Sequence, residues 1–376
     1  MRIVIIGEFS SFAKNLSVGF RQIGHECFVF SSGDGFKKID QEKSSSYEVV
    51  MPKPGRGVWG YFKSMLHQWK ESIKLQSFVK GIAESQKFDA ALIINPTFIR
   101  MKNHFWQPHF TKDMLQSILS NPHNIYLSAC GGDVPYFDYW KDHSWKNRHI
   151  VEVGMSQYYT EATKCHFSFC MTFINKVIPV MYMYAEAWRE SDYTKDCKTL
   201  PTIPLPVITS NYQIKNELKT KIVVFHGIIR PEEKGTPIIV EAMNRLQEKY
   251  PDEVECVAKG GMPLNEYLTL LNKTNILIDQ AHSDSVGMNG LYALAMGKVV
   301  LSGNMPENQK EFNEYDCPIV NIMPDSNQIF EELEKLVIDR DKILELSKKS
   351  REYVERVHDA NVIARKYIEI FERCNQ

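Results

Sequence analysis

Two cations four positions apart, Arg230 and Lys234, sit in the segment HGIIRPEEKG (226–235), just after the β-branched run KIVVFH (221–226) and just before a helical pattern. Further on, Gly287-Met288-Asn289-Gly290 forms a glycine-rich turn between a strand pattern and another helix start, within LIDQAHSDSVGMNGLYALAMGKVVLSG (277–303). A helix start presents unpaired backbone N–H groups and the positive end of the helix dipole, so it is a natural anion site. A guanidinium fork grips phosphate oxygens in pairs, and an ammonium adds a point charge. Together these groups suit a diphosphate held without a metal ion, with its charge stabilised as a bond to it breaks. The competing reading of the same residues is a solvated loop in which Glu232 and Glu233 partner both cations.

Such groups need a scaffold, and the hydrophobic pattern supplies one. Short β-rich runs alternate with longer helical stretches, the pattern of parallel α/β layers. In the first half strands are expected near 3–6, 27–30, 90–94 and 125–128, with helices near 12–23, 60–85 and 111–119. In the second half strands are expected near 222–226, 254–258, 276–278, 299–302 and 319–321, with helices near 237–250, 264–271 and 288–296. The segment LPTIPLPVI (200–208), with three prolines, reads as a stiff extended linker. From 328 to 371 the chain is charged, periodic and free of Gly and Pro, which implies one or more long helices.

The segments 226–235 and 277–303 resemble the donor half of a GT-B glycosyltransferase, nearest to the family 4 type. Such enzymes show an Arg and a Lys before a KGT-like helix start, here Lys234-Gly235-Thr236. They then show an acidic residue, a Gly-rich turn, a helix and a GKPV-like end, here Gly297-Lys298-Val299-Val300. A looser likeness runs over nearly the whole chain. It implies two Rossmann-like domains facing a central cleft: an acceptor domain (1–205), a nucleotide-sugar domain (206–358) and a closing helix (359–376) packing back on the first. It also implies retention at the anomeric carbon, with a leaving phosphate oxygen as base, and no metal or other cofactor. The role implied is synthesis of a surface polysaccharide or lipid-linked oligosaccharide, so the partners would be a nucleotide sugar and a saccharide or lipid-linked acceptor.

By that resemblance the catalytic candidates are Arg230, Lys234, Asp284 and Asp133. The donor-binding candidates are His226, Gly227, Lys259, Gly260, Gly287, Met288, Asn289, Gly290 and Tyr292. The sequence departs from the pattern in two places. Relatives carry two glutamates eight positions apart, whereas here Asp284 stands at the first position and Tyr292 at the second, so one acid is shortened and the other lost. Asp279-Gln280 resembles an IDQ variant of this block. Cys130-Gly131-Gly132-Asp133-Val134 resembles an HGSDV-like turn at the cleft, with Cys130 in place of the histidine; Asp133 would hold a hydroxyl there, or else cap a plain turn. His226, at a strand end, can equally be a packed histidine; Lys259-Gly260 stands where the family often contacts the nucleobase, or else is a simple turn.

The first strand-to-helix turn, GEFSSFAKN (7–15), has one glycine where a dinucleotide fingerprint needs GxGxxG, which disfavours a dehydrogenase. The GT-B resemblance implies that this turn faces the cleft and helps shape the acceptor site; the alternative is an ordinary strand-to-helix turn capped by Ser10 or Ser11. The stretch 53–74 (KPGRGVWGYFKSMLHQWKESIK) mixes five cations and four aromatics with the single acid Glu71. That mixture suits peripheral contact with an anionic membrane, or an ordinary core helix. A second aromatic run, Tyr136-Phe137-Asp138-Tyr139-Trp140, can stack on acceptor sugars or simply pack.

Bulk properties bound the rest. With 376 residues, 43% hydrophobic and 24% charged, the chain reads as two globular domains. A net charge of −1 argues against a nucleic-acid binder. No apolar run approaches the ~20 residues of a membrane span, and MRIVIIG reads as a first strand rather than a signal. Eight scattered cysteines without a CxxC pair fit reduced thiols in a cytoplasm, with the inner membrane face as one site of action. Two rival functions remain on the same fold: a nucleotide-sugar epimerase and a non-catalytic nucleotide-sugar-binding subunit.

Overall fold

Ile3, Val4, Ile5 and Ile6 are all buried, so both faces of this strand are covered, as in a parallel sheet between helical layers. A computed structural model describes residues 1–31, 46–48, 57–85, 87–96, 112–120, 122, 124–143, 148–195, 197–262 and 264–374. The first half runs β1 (Arg2–Ile6), α1 (Phe12–Gln22), β2 (Glu26–Ser31), β3 (Ser46–Glu48), α2 (Gly57–Ser85), β4 (Ala90–Ile94), α3 (Lys112–Leu119), β5 (Asn124–Ala129), α4 (Val134–His143), α5 (Arg148–Tyr158), α6 (Glu161–Met171), β6 (Lys176–Pro179), α7 (Tyr182–Arg189) and β7 (Lys198–Thr199). Its strands form one parallel sheet in the order β3-β2-β1-β4-β5-β6-β7.

The second half runs β8 (Ile222–Ile228), α8 (Pro231–Lys234), α9 (Thr236–Lys249), β9 (Val254–Gly260), α10 (Leu264–Lys273), β10 (Ile276–Ile278), α11 (Met288–Ala295), β11 (Val299–Ser302), α12 (Pro306–Phe312), β12 (Val320–Asn321), α13 (Ser326–Ile338), α14 (Arg340–Val357) and α15 (Ala360–Cys374). Its strands form a second parallel sheet, β12-β11-β10-β8-β9. The α/β class expected from the sequence is thus the observed one.

The periodic stretch 328–371 is not one rod but parts of three helices. Asp339 caps α14 through Lys342 N (3.2 Å), and Asp359 accepts from Asn361 N (3.0 Å) at the start of α15, so aspartates rather than Gly or Pro mark the breaks. Residues 148–199 carried no sequence expectation and form α5, α6, β6, α7 and β7. The helix expected from 60 starts at Gly57, and the expected start at 111 lies outside the described residues. Ser11 holds the N-cap position of α1, as one of the two expected serines, but its side chain makes no cap bond. The buried Glu8 carboxylate accepts from Ala13 N (3.2 Å) and Lys14 N (3.0 Å).

The proline-rich segment is buried rather than a free spacer, with Leu205 and Val207 in the core. Val207 N donates to His358 O (2.7 Å) and Ala360 N to Val207 O (2.8 Å). Beyond that point α15 lies along α1 and against the first sheet. Phe371 stacks near Tyr126 (4.6 Å between ring centroids), and Tyr367 and Phe371 each face Phe20 at 6.2 Å.

Candidate active site

In each sheet the strand order reverses next to the first strand, between β1 and β4 and between β8 and β10. Crevices for ligands open beyond the carboxyl ends of strands at such reversals. Beyond β1 lies the Glu8–Ser11 turn, with Ser10 and Ser11 in the left-handed region (φ 52° and 71°). Beyond β8 lies Arg230-Pro231, and beyond β10 lies Asp279-Gln280. Arg230 too is left-handed (φ 76°), a strained state for a non-glycine residue and one that tends to occur at functional turns.

A buried carboxylate organises the second-lobe side. Lys234 Nζ donates to Asp279 Oδ1 (2.7 Å) and to Asp279 O (3.1 Å). The other carboxylate oxygen, Oδ2, accepts from Gly287 N (2.8 Å), the residue that caps α11. Asp279 is 1% exposed, so one buried acid both neutralises Lys234 and sets the turn that aims the α11 N-terminus. Arg230 Nη1 pairs with Glu233 Oε2 at 2.7 Å, the arginine half-exposed and the glutamate largely covered. Of the two glutamates expected to partner both cations, Glu233 takes Arg230, while the carboxylate on Lys234 is Asp279.

Two adjoining chambers meet at this wall. One, of about 220 Å³, is lined by second-lobe residues, among them Gly227, Lys259, Gly260, Tyr267, Asn289 and Tyr292, together with Ser10 and Ser11. The other, of about 180 Å³, is lined largely by the first lobe, including Phe9, Cys130, Gly132, Tyr136, Phe137 and Tyr184, with Glu233 from the second. Ser10, Arg230, Lys234, Gln280, Gly287 and Met288 border both chambers.

Four of the sequence candidates lie elsewhere. Asp133 is 0% exposed: Oδ1 accepts from Tyr136 N (2.9 Å), closing the first turn of α4, and Oδ2 from Trp188 Nε1 (2.9 Å). Burial raises its carboxyl to about 6 although these two donors pull the other way. Asp133 is therefore a cap and not a ligand group. His226 is buried between Ile278 O and Thr236 Oγ1, each 2.9 Å from a ring nitrogen. A carbonyl can only accept, so Nδ1 carries the proton and Nε2 accepts from the threonine. Burial lowers this imidazole to about 4, so it is a neutral strut.

Gly290 faces the protein interior, where a Cβ would meet Val286 Cγ2 at 2.2 Å; helix packing accounts for it. Asp284 is half-buried and off the lining of both chambers, near enough to Tyr136 and Tyr182 to add to the effect of burial in raising both hydroxyls. Tyr292 does line the larger chamber, but its hydroxyl bonds to Ser11 and Asn15 across the cleft. In the aromatic run, Tyr136, Phe137 and Trp140 are buried in α4, and Trp140 Nε1 donates to Met183 O (2.7 Å), so packing dominates there.

The site residues absent from the sequence candidates are Asp279, Gln280, Ser10, Ser11, Glu233 and Tyr267. Asp279 had a signal, the IDQ tripeptide, but its partnership with Lys234 depends on β10 lying beside β8, a pairing between distant segments. Among the described residues no group of three or more His, Cys, Asp or Glu is placed to hold a metal ion.

No family model matches this sequence, and no curated protein matches it. Solved structures do match the fold. Sucrose-phosphate synthase from Thermosynechococcus elongatus superposes on 100% of this chain and 99% of its own, with a TM-score of 0.60 at 11% identity. Anabaena HepE, solved in complex with UDP and glucose, covers 99% of this chain and 100% of its own (TM-score 0.56, 12% identity). The UDP-GlcNAc 2-epimerase from Neisseria meningitidis, bound to UDP-GlcNAc, covers 99% and 100% (TM-score 0.50, 10% identity). The architecture is GT-B: two Rossmann-like lobes across a cleft, the fold of known glycosyltransferases.

Proposed function

We propose that the chain is a glycosyltransferase that moves a sugar from a nucleotide-sugar donor to a hydroxyl of a saccharide or lipid-linked acceptor. The observation that carries this reading is the wall shared by the two chambers. Arg230, Lys234 and the α11 N-terminus stand between a second-lobe chamber suited to a nucleotide and a first-lobe chamber suited to an acceptor. A diphosphate leaving group belongs at such a boundary. Lys234 has three N–H donors, two of them directed at Asp279, which leaves the third for a phosphate oxygen. Arg230 is half-exposed and can exchange Glu233 for phosphate. The amides of Met288 and Asn289 add the helix-end field.

In this reading the acceptor oxygen attacks the anomeric carbon on the face where the diphosphate departs. The carbon–phosphate oxygen bond breaks, and the acceptor proton passes to the departing phosphate oxygen, giving retention. Charge neutralisation by Arg230 and Lys234 lets the step run without a metal ion. The family 4 motifs and the nucleotide-bound structures of the same fold support this assignment, with a cytoplasmic role in surface polysaccharide synthesis.

The test is a thermal-shift series with UDP, GDP and dTDP in the presence of a chelator, followed by incubation with labelled donor sugars. A nucleoside diphosphate should raise Tm by mass action. Arg230→Gly, which also relieves the left-handed backbone, should keep or raise the basal Tm while removing most of that rise. Absence of any nucleotide response would overturn the proposal. Epimerised donor in place of transferred sugar would favour the epimerase reading, for which one neighbour of this fold is the precedent.

A further inference from the structure

Among the described residues, helix α2 is covered on one side and carries an exposed apolar stripe on another. Val79 and Ser64 face the protein. Trp59, Phe62, Leu66, Trp69 and Ile73 do not: they are 44–84% exposed, and Val58 beside them is 73% exposed. At about 100° per residue these six fall within an arc of about 100°, and Trp59 to Ile73 spans ~21 Å along the axis. Exposed Lys63, Lys70 and Lys74 lie on the flank next to Trp59, within about 60° of it. The sequence of the helix holds four lysines (63, 70, 74 and 80) against Glu71 and Glu84. Residues 53–56 of the basic stretch lie outside the described residues.

Large apolar side chains in a contiguous exposed stripe mark a contact surface. Tryptophan and lysine together identify the medium. The aromatic rings sit at the boundary between water and hydrocarbon, and lysines beside them meet lipid headgroups. No helix among the described residues is long and apolar enough to cross a membrane, so this contact lies along the surface. We propose that the Trp59–Ile73 face of α2 is a docking surface for an anionic phospholipid bilayer, with the stripe in the headgroup boundary and Lys63, Lys70 and Lys74 on acidic lipids. The inference stands apart from the donor-site reading and holds whatever the cleft binds.

Co-sedimentation of the full chain with phosphatidylcholine vesicles, with and without phosphatidylglycerol, tests it at low and high salt. Binding to the acidic vesicles and weakening by salt are expected. Lys63→Glu/Lys70→Glu should lower the partition coefficient at least tenfold, since each basic group near an anionic surface matters by roughly that order. Trp59→Ser/Phe62→Ser/Trp69→Ser should abolish binding. Both variants should keep the basal Tm and any nucleotide-induced shift, which separates loss of docking from loss of fold or donor site. Failure of the parent chain to bind acidic vesicles, or binding unchanged in the triple variant, overturns the proposal. So does a concentration-dependent dimer, seen by light scattering, that the triple variant loses while vesicles never bind, because the stripe then serves a second copy of the chain.

Discussion

Replacing Lys234 by methionine keeps the volume of the side chain and removes its charge, which leaves the Asp279 carboxylate in a site that is 1% exposed. The carboxylate then retains the Gly287 N–H (2.8 Å) but loses the ammonium at 2.7 Å. Breaking a buried pair in this way costs about 3–5 kcal/mol, mainly as the penalty of an uncompensated charge. For a lobe of this size that corresponds to a fall in Tm of roughly 10 °C. The double variant Lys234→Met/Asp279→Asn removes the stranded charge and still offers an amide oxygen to Gly287. It should therefore recover at least half of the loss, because a buried ion pair and an uncharged pair of similar volume are often close in stability. Thermal and urea unfolding of the parent, both single variants and the double variant complete the cycle. Nucleotide binding should be weak in both Lys234→Met proteins, so stability and affinity would part company in the double variant. A drop below about 1 kcal/mol in the single variant, or a double variant no more stable than the single, would refute the argument that the buried Lys234–Asp279 pair supports the second lobe.

Three other perturbations follow from contacts described above, the Arg230→Gly and vesicle experiments aside. At Gly19 an added Cβ would lie 2.2 Å from Ala360 O, a backbone atom of the helix laid along α1, so Gly19→Ala should cost about 1–3 kcal/mol and loosen α15, read by its amide exchange. His226 and His358 are both lowered to about 4 by burial, so the unfolded chain binds more protons between about pH 6.5 and 4. The stability they contribute is present above 6.5 and is lost as pH falls through that window. Tm measured from pH 7 to 4.5 should drop, and His226→Gln should reduce the slope. Asp133 acts with the opposite sign: its carboxyl is raised to about 6, so its contribution is present below 3.8 and lost as pH rises through 6. Asp133→Asn, which keeps one acceptor for the α4 cap, should therefore steepen the net fall on the acid side.

The second lobe was legible almost element by element, because Gly235, Gly287 and Gly297 punctuate strong strands such as IVVF and VVLS. The region 148–199 was not, since α5 to α7 are short and mix polar and apolar residues without a clear period. The residues on the chamber wall could be picked out because Arg230, Lys234 and 287–289 follow strands and precede helices, a local pattern. Burial is not local, and there the sequence reading erred. Nothing adjacent to Asp133 announces Trp188, 55 positions away, and nothing beside His226 announces that Ile278 and Thr236 will take both ring nitrogens. The exposure of α2 was equally hidden, since an amphipathic stripe reads alike whether protein or lipid covers it.

The chain crosses between the lobes twice, at Val207 and at Asp359-Ala360, and the two passages are stitched to each other by the Val207 N–His358 O and Ala360 N–Val207 O bonds. The lobes also meet away from this point, where Arg189 Nη2 pairs with Glu311 Oε1 (2.6 Å) and Tyr182 N donates to Asn308 Oδ1 (3.2 Å), so their relation is fixed at more than one place. Ser10 on one side and Gln280 and Met288 on the other border both chambers, so the spacing of the lobes sets the width of the two compartments together.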